Sequence, residues 1–222
     1  MITFVSAEKM IYLRTIRLDF LDVGPNIDNL EIFEHLESLY LQYNKLSSIG
    51  KGLSQNVNLV FLALHNNQIK RIEGLKHLKK LAFLDLSNNE IEDIPNVEEI
   101  PSQSLMILKL FNNPVKDYRK RIVLHLPKLE ELDRIKVIEA ERLAYKGLIK
   151  IDVVKLVEQF RMQRQEQDAK EKMERELYLD FMLEKGLESQ ARMMKSLDEF
   201  AKMDEFDSLK TQLTDMLSEH KT

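Results

Sequence analysis

Leucine and asparagine recur in one arrangement along the first half of the chain. The stretches LESLYLQYNKL (36–46), LVFLALHNNQI (59–69), LAFLDLSNNEI (81–91) and LMILKLFNNPV (105–115) share the pattern LxxLxLxxNxL, and LRTIRLDFLDV (13–23) is a degenerate copy without the asparagine. Their first leucines are 22 to 24 residues apart. Neither a helical period nor strict strand alternation fits such a stretch over its full length. The pattern therefore predicts stacked structural repeats.

This pattern at this period is typical of a leucine-rich repeat solenoid, an α/β fold with short parallel strands on its concave face. One repeat cannot bury its apolar face alone, so the leucines are expected to stack on those of the next repeat. We expect the asparagine side chains to bond backbone groups of the turn and of the adjacent coil. These asparagines are Asn44, Asn67, Asn89 and Asn113. Ile49, Ile72 and Ile94 are expected to return the chain to the core on the convex side.

Both ends of a solenoid need caps. Ser6 is expected to begin a short N-terminal helix, because serine is a favoured N-cap residue. After the last asparagine, Pro114 breaks the pattern, and an amphipathic helix is predicted from about Tyr118 to His125. Leu126, Leu129 and Leu132 then close the last coil. The sequence thus predicts a capped solenoid over residues 1–138.

The rest of the chain, residues 139–222, is predicted to be an extended helical or coiled-coil-like tail, because good helix formers dominate it. Apolar residues nearly vanish between Arg161 and Arg175, as in a helix that crosses solvent or contacts a charged partner. Further on, a 3–4 spacing is compatible with a coiled-coil seam or with a helix in a partner's groove. Whether the tail folds back or extends along another chain stays open. The candidate partner-binding residues of the tail are Phe181, Leu197, Phe200, Phe206, Leu209, Leu213 and Met216.

The third, fifth, seventh and eighth positions of each repeat are expected to point out of the strand face. Exposed aromatic and apolar side chains there, with a polar rim, are typical of a protein interface. The alternative is that some of these rings lie flat on their own sheet or under the tail. The candidate partner-binding residues of the concave face are Tyr40, Tyr43, Phe61, His65, Phe83, Asp85, Ile107, Lys109 and Phe111.

Composition narrows the function classes. The 222 residues include no cysteine, which excludes disulfides, thiolate metal sites and a cysteine nucleophile. A net charge of -4 argues against a nucleic-acid partner. No secretory signal or run of about 18 apolar residues is found, so we expect a cytoplasmic protein without a membrane span. No two of the five histidines are four residues apart, and no phosphate-binding loop occurs. We expect no enzyme activity, cofactor, metal or small-molecule substrate.

The stretch NNPV…YR…LPKLEELD (112–133) resembles the C-terminal cap of short-period intracellular leucine-rich repeat proteins. That group includes regulators of protein phosphatase 1, a light chain of axonemal dynein and a spliceosomal protein. TIRLD, LESLYLQYNKLSSI, LAFLDLSNNEIE and PSQSLMILKL more closely resemble leucine-rich repeat proteins of cilia and flagella, over roughly residues 12 to 135. The resemblance does not extend into the tail.

The resemblance implies a non-enzymatic structural protein of the ciliary or flagellar axoneme, in a radial spoke or another complex attached to doublet microtubules. Its expected partners are other proteins of a large cytoskeletal assembly. The alternative is a regulatory or targeting subunit of a protein phosphatase, because the repeat length and the cap are compatible with both. A third hypothesis, a module of an RNA-containing complex, is disfavoured by the acidic charge balance.

Overall fold

The repeats form one sheet of seven short strands in the computed structural model, which describes residues 12–184 and the side chains of residues 12–178. Strand order follows the chain, and the first six strands are parallel. The strands are β1 (Thr15–Arg17), β2 (Ser38–Tyr40), β3 (Phe61–Ala63), β4 (Phe83–Asp85), β5 (Ile107–Lys109), β6 (Glu131–Leu132) and β7 (Ile135–Lys136). The predicted parallel-strand solenoid is confirmed.

Every strand pairs with its neighbour in the register that the repeats predict. Leu39 lies opposite Leu62, Leu62 opposite Leu84, and Leu84 opposite Leu108. All four are fully buried. Ile49, Ile72 and Ile94 are buried in the same core from the convex side, as predicted. The inward leucines of one repeat therefore bury those of the next.

The repeat asparagines link neighbouring coils through shared acceptors. Asn67 Nδ2 donates to the carbonyls of Leu41 and Leu64, both at 3.0 Å, and Asn67 Oδ1 accepts the Leu46 N–H at 3.1 Å. Asn89 Nδ2 also donates to the Leu64 carbonyl at 3.0 Å. Asn44 Nδ2 likewise shares the Leu41 carbonyl with Asn67. The side chains thus form a continuous ladder through the solenoid, and the predicted role of the asparagines is confirmed.

Helix α1 (Arg119–His125) follows the last asparagine, where a cap helix was predicted. The antiparallel β6–β7 hairpin comes next. In the inner repeats the N–H of Leu41, Leu64 or Leu86 donates to a carbonyl of the next strand. At the last full repeat, Leu110 N–H instead donates to Asp133 Oδ1 at 2.6 Å. A carboxylate oxygen therefore replaces the backbone carbonyl at this position, because β6 ends at Leu132, one residue before Asp133.

Helix α2 (Glu139–Tyr145) completes this cap with buried charges. Arg119 Nε and Nη2 donate to the two oxygens of Glu141 at 2.8 and 2.9 Å, and Glu141 is 1% exposed. Arg142 donates to the carbonyls of Val123, Leu126 and Leu129, at the end of α1 and just after it. These contacts satisfy carbonyls that the end of α1 leaves without an intrahelical donor.

Beyond the cap, α3 (Val153–Glu184) is a single helix of 32 residues, about 48 Å long at 1.5 Å per residue. The chain divides into two compact units, Met1–Val154 and Lys155–Thr222. Residues 139–154, which the sequence assigned to the tail, therefore lie in the first unit. Ion pairs along α3 include Arg161–Glu158 at 2.7 Å and Lys172–Glu176 at 3.8 Å. The cap helix predicted at Ser6 lies outside the described residues.

Candidate functional site: the concave face and its rim

The parallel register aligns equivalent positions of successive repeats in columns on the concave face. Thr15, Ser38, Phe61, Phe83 and Ile107 lie opposite one another in the third-position column. Arg17, Tyr40, Ala63, Asp85 and Lys109 form the fifth-position column. The residues predicted for the two columns are therefore brought together on one surface.

Three aromatic rings form a ladder across these columns. The ring centroids of Tyr40 and Phe61 are 5.0 Å apart, and those of Phe61 and Phe83 are 4.3 Å apart with nearly parallel planes. Neighbouring strands lie about 4.8 Å apart, which is also a ring-stacking distance, so each ring face is covered by the next repeat. Arg17 lies 4.1 Å from the centroid of the Tyr40 ring and Lys109 lies 5.4 Å from that of Phe83.

The predicted exposure of this ladder is wrong. Tyr40, Phe61 and Phe83 are at most 1% exposed, and Ile107 is 6% exposed. Repeat periodicity identifies which residues share a column, but it does not show that aromatic rings on neighbouring strands cover one another. The alternative that rings lie on their own sheet is the one the structure supports for these residues.

The polar members of the columns are also buried. Lys109 Nζ lies 3.7 Å from Asp85 Oδ2, and Asp85 Oδ1 accepts the Ser87 hydroxyl at 2.6 Å. His65 was expected at the surface, but it is 9% exposed, and its burial lowers its pKa below the usual 6.5, while Asp85 acts in the opposite direction. In the described part of the chain, the fully buried Gln42 amide has no hydrogen-bond partner. This cluster is a buried polar layer and not the exposed rim that was predicted.

The accessible aromatic side chains lie at the edge of the face. Tyr43 is 39% exposed, as predicted, and stacks on Phe20 with centroids 4.4 Å apart. Phe20 is 62% exposed. Phe111, at the other end, is half-buried. Phe20 occupies the eighth position of the degenerate first repeat and is not among the predicted site residues, although an aromatic residue at that position is the signal that identifies it.

The eighth position of each repeat has a left-handed backbone. Its φ is 58° at Phe20, 57° at Tyr43, 56° at Asn66, 53° at Asn88 and 57° at Asn112. A left-handed conformation costs roughly 1–2 kcal/mol for most residues, and asparagine is among the few that adopt it readily. The first two repeats therefore have bulky aromatic side chains at a position that the next three fill with asparagine.

The side chains of the candidate partner-binding residues in the tail are not described by the structure. Phe181 lies in α3, within the part whose side chains are not described. The remaining candidates, Leu197, Phe200, Phe206, Leu209, Leu213 and Met216, lie outside the described residues.

No group of three or more histidine or acidic side chains among the described residues could hold a metal ion. A cleft of about 230 Å³ is lined by Glu98, Ser102 and His125 among others. Glu98 pairs with Lys76 at 3.3 Å, and His125 Nε2 lies 3.4 Å from the Ile100 carbonyl. Within residues 12–184, no helix is both long enough and apolar enough to span a bilayer.

A family model described as "Leucine Rich repeats (2 copies)" matches residues 34–77 and again 57–99, across the second to fourth strands. The chain is a leucine-rich repeat protein. Solenoid proteins use their extended concave surfaces for binding, and the family model that matches is a repeat and not a catalytic domain. No curated protein matches the sequence.

Several solved structures are similar to part of this chain. A chain of the Drosophila melanogaster SNF/U2A′ complex is 25% identical, with a TM-score of 0.51, and the match covers 65% of this chain and 86% of that one. An internalin (inlF) of Listeria monocytogenes is 27% identical over 55% of this chain and 35% of its own, with a TM-score of 0.43. A leucine-rich repeat protein of Leptospira interrogans is 32% identical over 46% of this chain and 26% of its own, with a TM-score of 0.41.

Proposed function

We propose that this leucine-rich repeat protein is a non-enzymatic structural component of the ciliary or flagellar axoneme. It binds other proteins through the accessible part of its concave face and through its helical tail, in a radial spoke or another assembly attached to doublet microtubules. The assignment to the axoneme rests on a sequence resemblance. The stretches TIRLD and LAFLDLSNNEIE, among others, resemble leucine-rich repeat-containing protein 46, a cilium and flagellum protein.

The observation that supports protein binding is the organisation of the concave face. The stacked rings of Tyr40, Phe61 and Phe83 and the Asp85–Lys109 pair fix its side chains in place. Its edge presents Tyr43 to solvent. A rigid surface with exposed aromatic side chains loses little conformational entropy when a partner binds. The similar Drosophila chain was solved in a complex of two proteins, which is the same kind of use.

Fractionation of isolated cilia tests the proposal. The full chain, tagged and expressed in ciliated cells, should stay with the axoneme when detergent removes membrane and matrix. It should then leave the axoneme with a large complex at high salt, because salt weakens exposed ionic contacts. Recovery in the detergent-soluble fraction would refute the axonemal assignment. A phosphatase catalytic subunit recovered with that soluble protein would favour the regulatory alternative.

A pair of matched variants tests whether the face carries the binding. Phe111→Ser gives the seventh position the residue that Ser87 occupies one repeat earlier, so the fold should tolerate it. This variant should be retained less well than the parent. Val57→Ser removes another exposed apolar side chain, 49% exposed, outside the columns of the concave face. Retention should not change in that control, and an equal loss in both variants would contradict binding through the face.

A further inference from the structure

The aromatic pair at the edge of the first two repeats is not required by the fold. Asn66, Asn88 and Asn112 occupy the same left-handed position in the next three repeats. There Asn112 Nδ2 donates to Asn88 Oδ1 at 2.8 Å, so the polar version of this column has its own contacts along the edge. Phe20 and Tyr43 adopt an unfavourable backbone conformation that asparagine would adopt more readily. Such conformations are found more often at binding sites than elsewhere, so aromatic residues at this position are candidates for a binding role.

The pair is open to solvent on one side of its stack. The rings of Phe20 and Tyr43 are 8° from parallel, so each covers one face of the other. Phe20 is 62% exposed, and the adjacent Leu21 is 61% exposed. An aromatic and an aliphatic side chain on consecutive residues are therefore both exposed. Exposed apolar side chains in such a group are the centre of many protein interfaces.

Charges of both signs lie around the pair. Asp19 and Asp22 are close to Phe20 in the chain. Asp22 is paired with Lys45 at 2.8 Å, whereas Asp19 forms no ion pair among the described residues and its charge acts to raise the pKa of His65. An exposed ring and a carboxylate on neighbouring residues suit a guanidinium group, which can stack on the ring while it donates to the carboxylate. The chain already contains one such contact, because Arg17 lies over the Tyr40 ring at 4.1 Å.

We propose that Phe20, Tyr43 and Asp19 form a docking site for an arginine that is next to an apolar residue in a partner protein. The arginine stacks on Phe20 and pairs with Asp19, and the apolar neighbour packs on Leu21. This site deepens the proposed function, since it identifies the chemistry of a partner for the edge of the concave face.

Selection from a random peptide library displayed on phage, with the full chain as bait, tests the site. Enriched peptides should contain arginine beside an aliphatic or aromatic residue. The affinity of a synthetic peptide from the selection should fall roughly tenfold or more in the Phe20→Asn/Tyr43→Asn variant, as for the loss of a binding hot spot. The same variant should unfold in urea at a midpoint close to that of the parent, because asparagine relieves the left-handed strain while the stacking contact is lost.

Controls separate this site from the rest of the face. Asn112→Gly changes the same position three repeats away and should leave peptide affinity unchanged. In Phe20→Gly/Tyr43→Gly, glycine also adopts the left-handed backbone readily, and this variant should lose peptide binding as well. Binders without basic residues, no binders, or binders unaffected by either double variant would overturn the proposed site. Binders sensitive to Phe111→Ser alone would refute the arginine site and leave the proposed function standing. Preference for a short polyuridine probe over peptides would also contradict the site.

Discussion

The asparagine ladder predicts a specific energetic coupling between repeats. Asn67 and Asn89 both donate to the Leu64 carbonyl at 3.0 Å. Replacing Asn67 by alanine leaves that carbonyl with the Asn89 donor, but it leaves the buried Leu46 N–H without its acceptor. A buried donor without an acceptor costs about 1–3 kcal/mol. Each hydrogen bond lost by a carbonyl that keeps another donor costs about 0.5–1.5 kcal/mol. Asn67→Ala also loses its bond to the Leu41 carbonyl, so it should destabilise the solenoid by roughly 2–6 kcal/mol in total.

The double variant Asn67→Ala/Asn89→Ala should cost more than the sum of its single variants. Only the double replacement leaves the Leu64 carbonyl without either asparagine donor, so a coupling free energy of about 1 kcal/mol is expected. Asn44→Ala/Asn89→Ala is the matched control. These two side chains donate to different carbonyls, Asn44 to Leu18 and Leu41, and Asn89 to Leu64 and Leu86, so their effects should add.

Equilibrium unfolding in urea, followed by far-ultraviolet circular dichroism and tyrosine fluorescence, provides the free energies. The comparison requires similar m-values, because a changed m-value signals a change in the surface exposed on unfolding. Additive effects for the Asn67 and Asn89 pair, or equal coupling in the control pair, would refute the assignment of coupling to the shared carbonyl. A cost of Asn67→Ala well below 1 kcal/mol would refute the buried-donor argument itself.

Three further predictions concern titratable side chains. Burial lowers the pKa of His65, so the unfolded chain binds a proton at this residue before the folded chain does as the pH falls below about 6.5. The free energy of unfolding of the parent should therefore rise with pH between about 5 and 6.5, and more steeply than that of His65→Gln, in urea titrations. Burial raises the pKa of Asp133. Asp133→Leu should lower the free energy of unfolding by about 3 kcal/mol, because the N–H groups of Leu110 and Phe111 lose their acceptor and leucine disfavours the left-handed backbone there. Asp133→Asn keeps an acceptor and tolerates that backbone, so it should cost less. Arg119→Met should cost about 3–5 kcal/mol by leaving buried Glu141 unpaired, and adding Glu141→Leu should recover most of that loss in thermal unfolding.

The solenoid was predictable because its determinants are local and repeated. The spacing of Leu39, Leu62 and Leu84 by one repeat length implies the parallel register that the strands adopt. Each repeat asparagine has one environment that recurs, so Asn67 and Asn89 make the same contacts one coil apart. The aperiodic segment after Asn113 also identified the cap helix, because Pro114 ends the repeat before it.

The details of the face and the cap depend on contacts between residues that no period relates. Tyr40 is at the fifth position of its repeat and Phe61 at the third position of the next. Whether their rings are in contact depends on the orientation of each ring, which the sequence does not give. Asp133 replaces a backbone carbonyl by its side chain, which no local pattern indicates. The pairing of Arg119 with Glu141 joins residues 22 apart on different helices. Exposure was therefore the least predictable property of the candidate site.

Crosslinking mass spectrometry on isolated axonemes tests most directly whether this protein is a scaffold in the axoneme. Lysines on both units can report, because Lys45 on the solenoid and Lys170 and Lys172 on α3 are 62%, 73% and 77% exposed at their side chains. We expect crosslinks from Lys45 to another axonemal protein, and crosslinks from the α3 lysines to the same assembly. The axonemal scaffold role would be contradicted if the chain is absent from axonemes. It would also be contradicted if the chain recovered from axonemes is crosslinked only to itself.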